Sequence, residues 1–201
     1  MNAQQREMLL RAMLEELVET GYGDASVERA REAAGVSAAE FEAEFAGKDD
    51  CLFAAYDCLT ERVVATASGD CDRTGPWPAR VRSGLEALLQ AVAAYPALAT
   101  ALTRSFPGIR PAAYQRYVDL LSRFEPFMRE GREYSGLEEE LPGEVELLAV
   151  GAAEAIIFGE VDAGRASRLP QMLPEILFSV LVPFMGPDRA ADEMRSAALS
   201  T

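Results

Sequence analysis

AGVSAAEFEAEFAGKDD, residues 34–50, is the stretch on which the fold turns. Gly35 lacks a Cβ where a helix ending at Ala34 must turn sharply. Ser37 is a good N-cap, and Glu40 three residues later completes an S-x-x-E capping box. Phe41 and Phe45 are four apart and share one helix face, while Glu40, Glu42 and Glu44 lie off it. Gly47 ends the segment. The stretch therefore reads as the end of one short helix, a tight turn, a second short helix from Ala38 to Phe45, and the start of a long helix at Lys48.

The flanks extend this reading. Ser26 caps the helix Val27–Ala34. Before it, "TGYGD" at residues 20–24 stops a first helix from about Gln4 to Thr20, with Gly21 and Gly23 suited to a left-handed cap. Leu9, Met13 and Leu17 form that helix's apolar stripe, widened by Ala12. Downstream, about Lys48 to Ser68 carries Leu52, Tyr56, Leu59 and Val63. "SGDCDRTGPWP" (68–78) reads as a linker. Helices follow at Pro78–Ala94, from Pro96 to near Phe106, and from Pro111 to about Arg132, with "PGIRP" as a turn. "GREYSGLEEELPGE" (131–144) reads as a polar, mobile loop. Strand-like alternation is absent, so the fold class is all-α.

The C-terminal third is the most apolar. Glu144–Val161 carries Val145, Leu147, Leu148, Val150, Ile156, Ile157 and Phe158 on most sides, a pattern that calls for burial all round. Leu169, Met172, Leu173, Ile176, Leu177, Val180, Leu181 and Phe184 repeat at helical spacing, with Phe178, Val182 and Met185 on a second side. A last amphipathic helix spans Asp188–Ala198. This is more apolar surface than one core needs. Two such helices packing on a second copy as a four-helix bundle would bury it; the other reading is a helix pair inside one large core.

Composition narrows the function classes. The 201 residues suffice for a proper core, and 49% are apolar. The apolar run Val145–Phe158 is interrupted by Glu146 and Glu154 and is too short to span a bilayer. The N-terminal residues are amphipathic at once, so a cytoplasmic protein is expected, with no membrane partner. Cys51, Cys58 and Cys71 have no CxxC spacing, which disfavours a disulfide framework or a zinc site. There is no histidine, and no nucleophile, dinucleotide or phosphate-loop motif. No enzyme is expected, and no cofactor or metal.

Charge sets the problem. The chain has 33 acidic against 19 basic residues, a net charge of −14. Residues 1–50 hold five basic groups (Arg6, Arg11, Arg29, Arg31 and Lys48) against twelve acidic ones. DNA-binding surfaces are usually basic, because affinity comes largely from neutralising phosphates.

A short helix, a glycine turn and a second short helix form a helix-turn-helix plan. With Gly21, Tyr22, Ser26, Val27, Ala34, Gly35, Val36, Ser37, Phe41, Phe45, Lys48, Asp49 and Leu52, the N-terminal segment resembles the DNA-binding domain of the TetR family of transcriptional regulators. "GRASRLPQMLPEILFSVLVPFMGPDRA" (164–190) looks like the dimerising end of many actinobacterial members. The resemblance implies a three-helix helix-turn-helix domain at 1–47 and a helical ligand-binding and dimerisation domain at 48–201. It implies phosphate contacts from Ser26, Ser37 and Lys48, and base or phosphate contacts at Ala38, Ala39, Glu40, Glu42 and Glu44. In the family the position of Glu40 is commonly Thr, that of Glu42 a phosphate-touching Tyr, and that of Glu44 His or Tyr. Ala30 and Arg31 stand where Ile and Ala are preferred, and Arg31 either loosens the packing or snorkels outward. Each carboxylate near a phosphate costs roughly 1 kcal/mol even at water-like dielectric. Direct DNA binding is therefore expected to be weak or lost.

The resemblance further implies an effector pocket for a small apolar or aromatic molecule, with Phe53, Tyr56, Trp77, Leu85, Leu89, Phe106, Tyr114, Tyr117, Leu121, Phe124, Phe127 and Met128 as candidates; each of these residues also reads as ordinary core. The implied homodimer interface draws on Leu148, Ala152, Ile156, Leu173, Ile176, Leu177, Val180, Leu181 and Phe184. Two functions stay open. One is a ligand-responsive homodimeric regulator. The other is a protein of the same fold that does not bind DNA and acts through a ligand, or through a basic protein partner on its acidic N-terminal face.

Overall fold

The computed structural model describes residues 1–69, 75–136 and 141–199. Among the described residues there is no strand, and the chain is all-α. Its helices are α1 (Ala3–Asp24), α2 (Val27–Ala34), α3 (Ala38–Glu44), α4 (Lys48–Gly69), α5 (Trp77–Ala94), α6 (Pro96–Thr100), α7 (Pro111–Ser122), α8 (Glu125–Ser135), α9 (Val145–Asp162) and α10 (Leu173–Ala198). A π-helical turn covers Ala101–Ser105, and a 3-10 segment covers Ala166–Met172.

The chain forms two compact units. The first comprises Met1–Arg62 with Ala97–Tyr117, and the second Val63–Pro96 with Val118–Thr201. In the first, Leu9, Leu10, Met13, Leu14 and Leu17 of α1 are buried, together with Ala30, Ala34, Phe41, Phe45, Leu52 and Tyr56. Gly21, in the left-handed region at φ 78°, breaks α1 where a stop is expected; Gly23 has no positive φ. In the second unit, Trp77, Val81 and Leu89 of α5 are buried, with Met128 of α8, Val145 and Ala149 of α9, and the inner stripe of α10.

Two sequence expectations are corrected here. The helix expected over Pro111–Arg132 is two helices, separated at Arg123–Phe124. Pro126 sits in the first turn of α8, where its missing N–H costs nothing, and it can make no helical bond back to the Ser122 carbonyl, so a helix running in from α7 breaks here. The loop expected from Gly131 is helical as far as Ser135. Tertiary packing overrides the weak local preference: a Cβ on Gly131 would lie 2.7 Å from both Trp77 and Phe184, so α8 approaches them at a distance only glycine allows. Arg132 then donates to both carboxylate oxygens of the buried Glu146, and to the carbonyls of Pro142 and Gly143. The middle of that loop (137–140) and the middle of the linker with Cys71 (70–74) lie outside the described residues.

Among the described residues the span Ala166–Ala198 is long and apolar enough to cross a bilayer. It is interrupted at Gly186, with φ 77°, and the inner stripe of α10 is spent on the chain's own core.

Candidate nucleic-acid interface and effector core

The α2–turn–α3 motif forms for the local reasons its sequence supplies. Ser26 Oγ accepts from Arg29 N at 3.2 Å and caps α2. Gly35 takes the left-handed conformation at φ 63° that ends α2. Ser37 Oγ accepts from Glu40 N at 3.2 Å, and Glu40 Oε2 accepts from Ser37 N at 2.9 Å, the reciprocal capping box. Phe41 and Phe45 turn inward with ring centroids 5.4 Å apart.

The three glutamates that occupy DNA-reading positions have three different fates. Glu40 is a cap: besides the Ser37 backbone it accepts from Ser37 Oγ at 2.7 Å, its Oε1 lies 3.3 Å from the Met1 ammonium, and the Ser37 bonds, with that ammonium, hold its carboxyl down to about 2. Glu44 accepts from Arg6 Nε at 2.5 Å. Glu42 is exposed and makes no ion pair with the described residues, and Ala38 and Ala39 are exposed beside it.

The cations are committed to the protein itself. Lys48, expected to hold a phosphate, is engaged within the chain. Its Nζ donates to the carbonyls of Tyr22 at 2.6 Å and Ala25 at 3.2 Å, and lies 4.6 Å from the Tyr22 ring centroid. An ammonium at the C-terminal end of α1 satisfies carbonyls that have no helical donor and sits at the negative end of the helix dipole. Arg29 grips Glu16 through Nε (2.8 Å) and Nη2 (2.5 Å), and Glu16 Oε2 also accepts from Ser26 N. That guanidinium holds the Glu16 carboxyl below its usual range. Arg11 donates to Glu15 at 2.9 Å. Of the five cationic side chains in residues 1–50, only that of Arg31 has no ion pair or hydrogen bond among the described residues. Arg31 is half-buried, while Ala30 beside it is fully packed. The hydroxyls of Ser26 and Ser37 are likewise engaged, with Glu28 and Glu40.

The structure sorts the candidate effector residues into two aromatic groups. In the first unit Tyr56 stacks on Phe106 (3.8 Å, 10°), and Phe53 meets Phe106 edge-on at 5.7 Å. Tyr56 is buried, and burial pushes its phenol up. Its hydroxyl donates to the Leu102 carbonyl at 3.3 Å. In the π-helical turn Phe106 N bonds Ala101 O. The donor that would serve Leu102 in the same pattern is Pro107, which has no N–H, so the tyrosine supplies it. Tyr114 is 59% exposed, 6.5 Å from the half-buried Tyr117. In the second unit Trp77 meets Phe184 at 5.1 Å and donates from Nε1 to Phe127 O at 2.9 Å. Leu89 and Met128 are buried, while Leu121 and Phe124 are half-buried.

One constellation was not read from the sequence. Asp49, Phe53, Tyr56 and Asp57 lie on one face of α4, and all four receive residues 102–116. Tyr22 Oη donates to Asp49 Oδ1 (2.5 Å) and accepts from Arg110 Nη2 (2.8 Å), which also pairs with Asp49 Oδ2 at 2.9 Å. Arg116 lies over the Phe53 ring and donates to Asp57 Oδ1 at 3.1 Å. The i, i+4, i+7, i+8 spacing on α4 was the available signal.

The expected dimer residues also divide. Leu173, Ile176, Leu177, Val180, Leu181 and Phe184 are buried within the chain, so this half of the expected interface is core: a strict helical stripe finds its own protein first. Leu148 is 61% exposed, and Ala152 and Ile156 are half-buried on α9. Leu147 is 40% exposed, so α9 is not buried all round in the single chain.

No protein-family model matches the chain, and no curated protein matches it. Solved structures do. The fatty acid degradation regulator FadR from Bacillus halodurans has a TM-score of 0.77 at 17% identity, covering 87% of this chain and 97% of that one. The transcriptional regulator FadR from Bacillus subtilis, solved in complex with stearoyl-CoA, has a TM-score of 0.67 at 17% identity, covering 89% and 97%. A transcriptional regulator from Rhodococcus sp. RHA1 has a TM-score of 0.61 at 17% identity, covering 97% and 96%. At this identity the likeness fixes the fold. The chain has the all-helical fold of these transcriptional regulators along most of its length.

Proposed function

We propose that the chain is a TetR-like, homodimeric, ligand-responsive regulator of the cytoplasm whose direct affinity for DNA is weak. Residues 1–47 serve as its helix-turn-helix domain, and residues 48–201 as its effector and dimerisation domain. The observation that carries the reading is the intact α2–Gly35–α3 motif, with both serine caps made, in a chain similar over most of its length to solved regulators. The weak affinity follows from where the charges go: Glu42 faces solvent on α3, Lys48 is held by carbonyls, and Arg6, Arg11 and Arg29 are paired. Dimerisation would use the apolar face of α9 around Leu148, Ala152 and Ile156 rather than the buried stripe of α10. The effector is a small apolar molecule, and the stearoyl-CoA complex of the Bacillus subtilis neighbour makes long-chain acyl thioesters the first class to try.

The same accounting of cations favours a second reading, in which the fold is kept and DNA is not a ligand at all. The protein would then act through its effector, or through a basic protein partner on the acidic N-terminal face. Fluorescence anisotropy against DNA flanking its own gene, at ~50 and ~150 mM salt, separates the two. Weak binding at the lower salt that disappears at the higher supports the first reading, and silence at both supports the second. Nanomolar, sequence-selective binding at the higher salt would sink both. Thermal shift with acyl-CoA of graded chain length tests the effector, and a length-independent midpoint would remove that class.

A further inference from the structure

Arg6 has a role the DNA-reading positions do not include. It reaches from α1 to the C-terminal end of α3, where its Nε meets Glu44 and its guanidinium lies 5.9 Å from the Phe45 ring centroid. The pair is open to water, with Arg6 44% and Glu44 35% exposed. The last carbonyls of α3 and the Phe45 ring both favour a cation at this spot, so the guanidinium has reasons to stay there without Glu44. In helix-turn-helix docking the recognition helix enters the groove and neighbouring elements lie along the backbone. A solvent-facing guanidinium at the end of that helix is placed for a phosphodiester. What occupies it is a carboxylate from the same chain.

We infer that Arg6 is a latent phosphate-binding group and that Glu44 closes it, standing in the place of a DNA phosphate. This rests on the helix-turn-helix reading above and names the contact through which its affinity is restrained. Glu42 supplies the control. It sits on the same helix and carries the same charge, but it holds no cation. Neutralising Glu42 removes repulsion only. Neutralising Glu44 removes repulsion and releases an arginine as well.

The experiment measures anisotropy of a labelled random-sequence duplex against the full chain over a range of salt. The variants are Glu42→Gln, Glu44→Gln, Glu44→Ala, and Glu44→Gln combined with Arg6→Gln, each first shown by circular dichroism to melt as the parent does. The expected result is that both Glu44 variants bind on the order of tenfold more tightly than Glu42→Gln at ~50 mM salt. Their log–log salt slope should be steeper by about one per subunit, the signature of one added phosphate contact. Arg6→Gln should cancel that gain. Equal gains from Glu42→Gln and Glu44→Gln would overturn the inference, as would a gain that survives Arg6→Gln or a complete absence of binding by every variant. Tight, sequence-selective binding by the parent would defeat weak affinity as a reading, while leaving the Glu42 and Glu44 comparison decisive for Arg6.

Discussion

The exposed face of α3 and the exposed face of α9 are opposite cases. On α3 most of the polar chemistry is consumed at home: Glu40 caps its own helix and Glu44 holds Arg6. On α9 the inner residues Val145, Ala149 and Ala153 are buried, yet Leu147 and Leu148 face water. A charge satisfied by its own chain asks for no partner, and a large apolar side chain left in water does. The difference teaches that α3 spends most of its charge within the chain, while α9 leaves large apolar side chains in water. The surface that most needs covering is at the other end of the sequence.

The comparison breaks most violently at the line between core stripe and outer face. Phe184 packs on Trp77 and closes over Gly131. Phe184→Ala should cost about 3–5 kcal/mol, read as a lowered urea midpoint. Loss below ~1 kcal/mol would mean that the α10 stripe is not core. Leu148→Glu should leave the melting of the single chain nearly unchanged but convert the proposed dimer to monomer in sedimentation. A dimer that survives it would move the interface away from this face of α9.

Ser37→Ala sharpens the α3 side. It removes one half of the capping box and should cost about 1 kcal/mol, with faster amide exchange confined to residues 38–41. An unchanged midpoint would show that Glu40 alone holds the turn.

What was legible in the sequence was local. The caps at Ser26 and Ser37, the turn at Gly35, the Phe41–Phe45 face and the break at Gly21 depend on residues within one helical turn, and the structure has them all. The division of α7 from α8 was equally available, since Pro126 announces it. What could not be read were partners far apart in the chain. Lys48 with Tyr22, Arg6 with Glu44, and Arg110 with Tyr22 are 26, 38 and 88 residues apart. Residue type shows that a lysine wants acceptors; only packing decides between a carbonyl cage and a phosphate. Periodicity likewise shows that the α10 stripe will be buried without showing against what.

The smallest expected effect tests whether Glu40 belongs to the fold or to a ligand. Bonds from Ser37, with the Met1 ammonium, hold its carboxyl at about 2, against 4.5 when unstructured. A carboxyl depressed by folding stabilises fully above its unfolded value, and that contribution is lost as pH falls from 4.5 toward 2. Thermal midpoints followed down through this window should fall less steeply for Glu40→Gln than for the parent, because the variant has no proton to take up. Glu42→Gln has no such cap to lose and should track the parent. If the Glu40 and Glu42 variants behave alike, neither the capping box nor the Met1 pair holds in solution, and Glu40 returns to the set of side chains free to meet a partner.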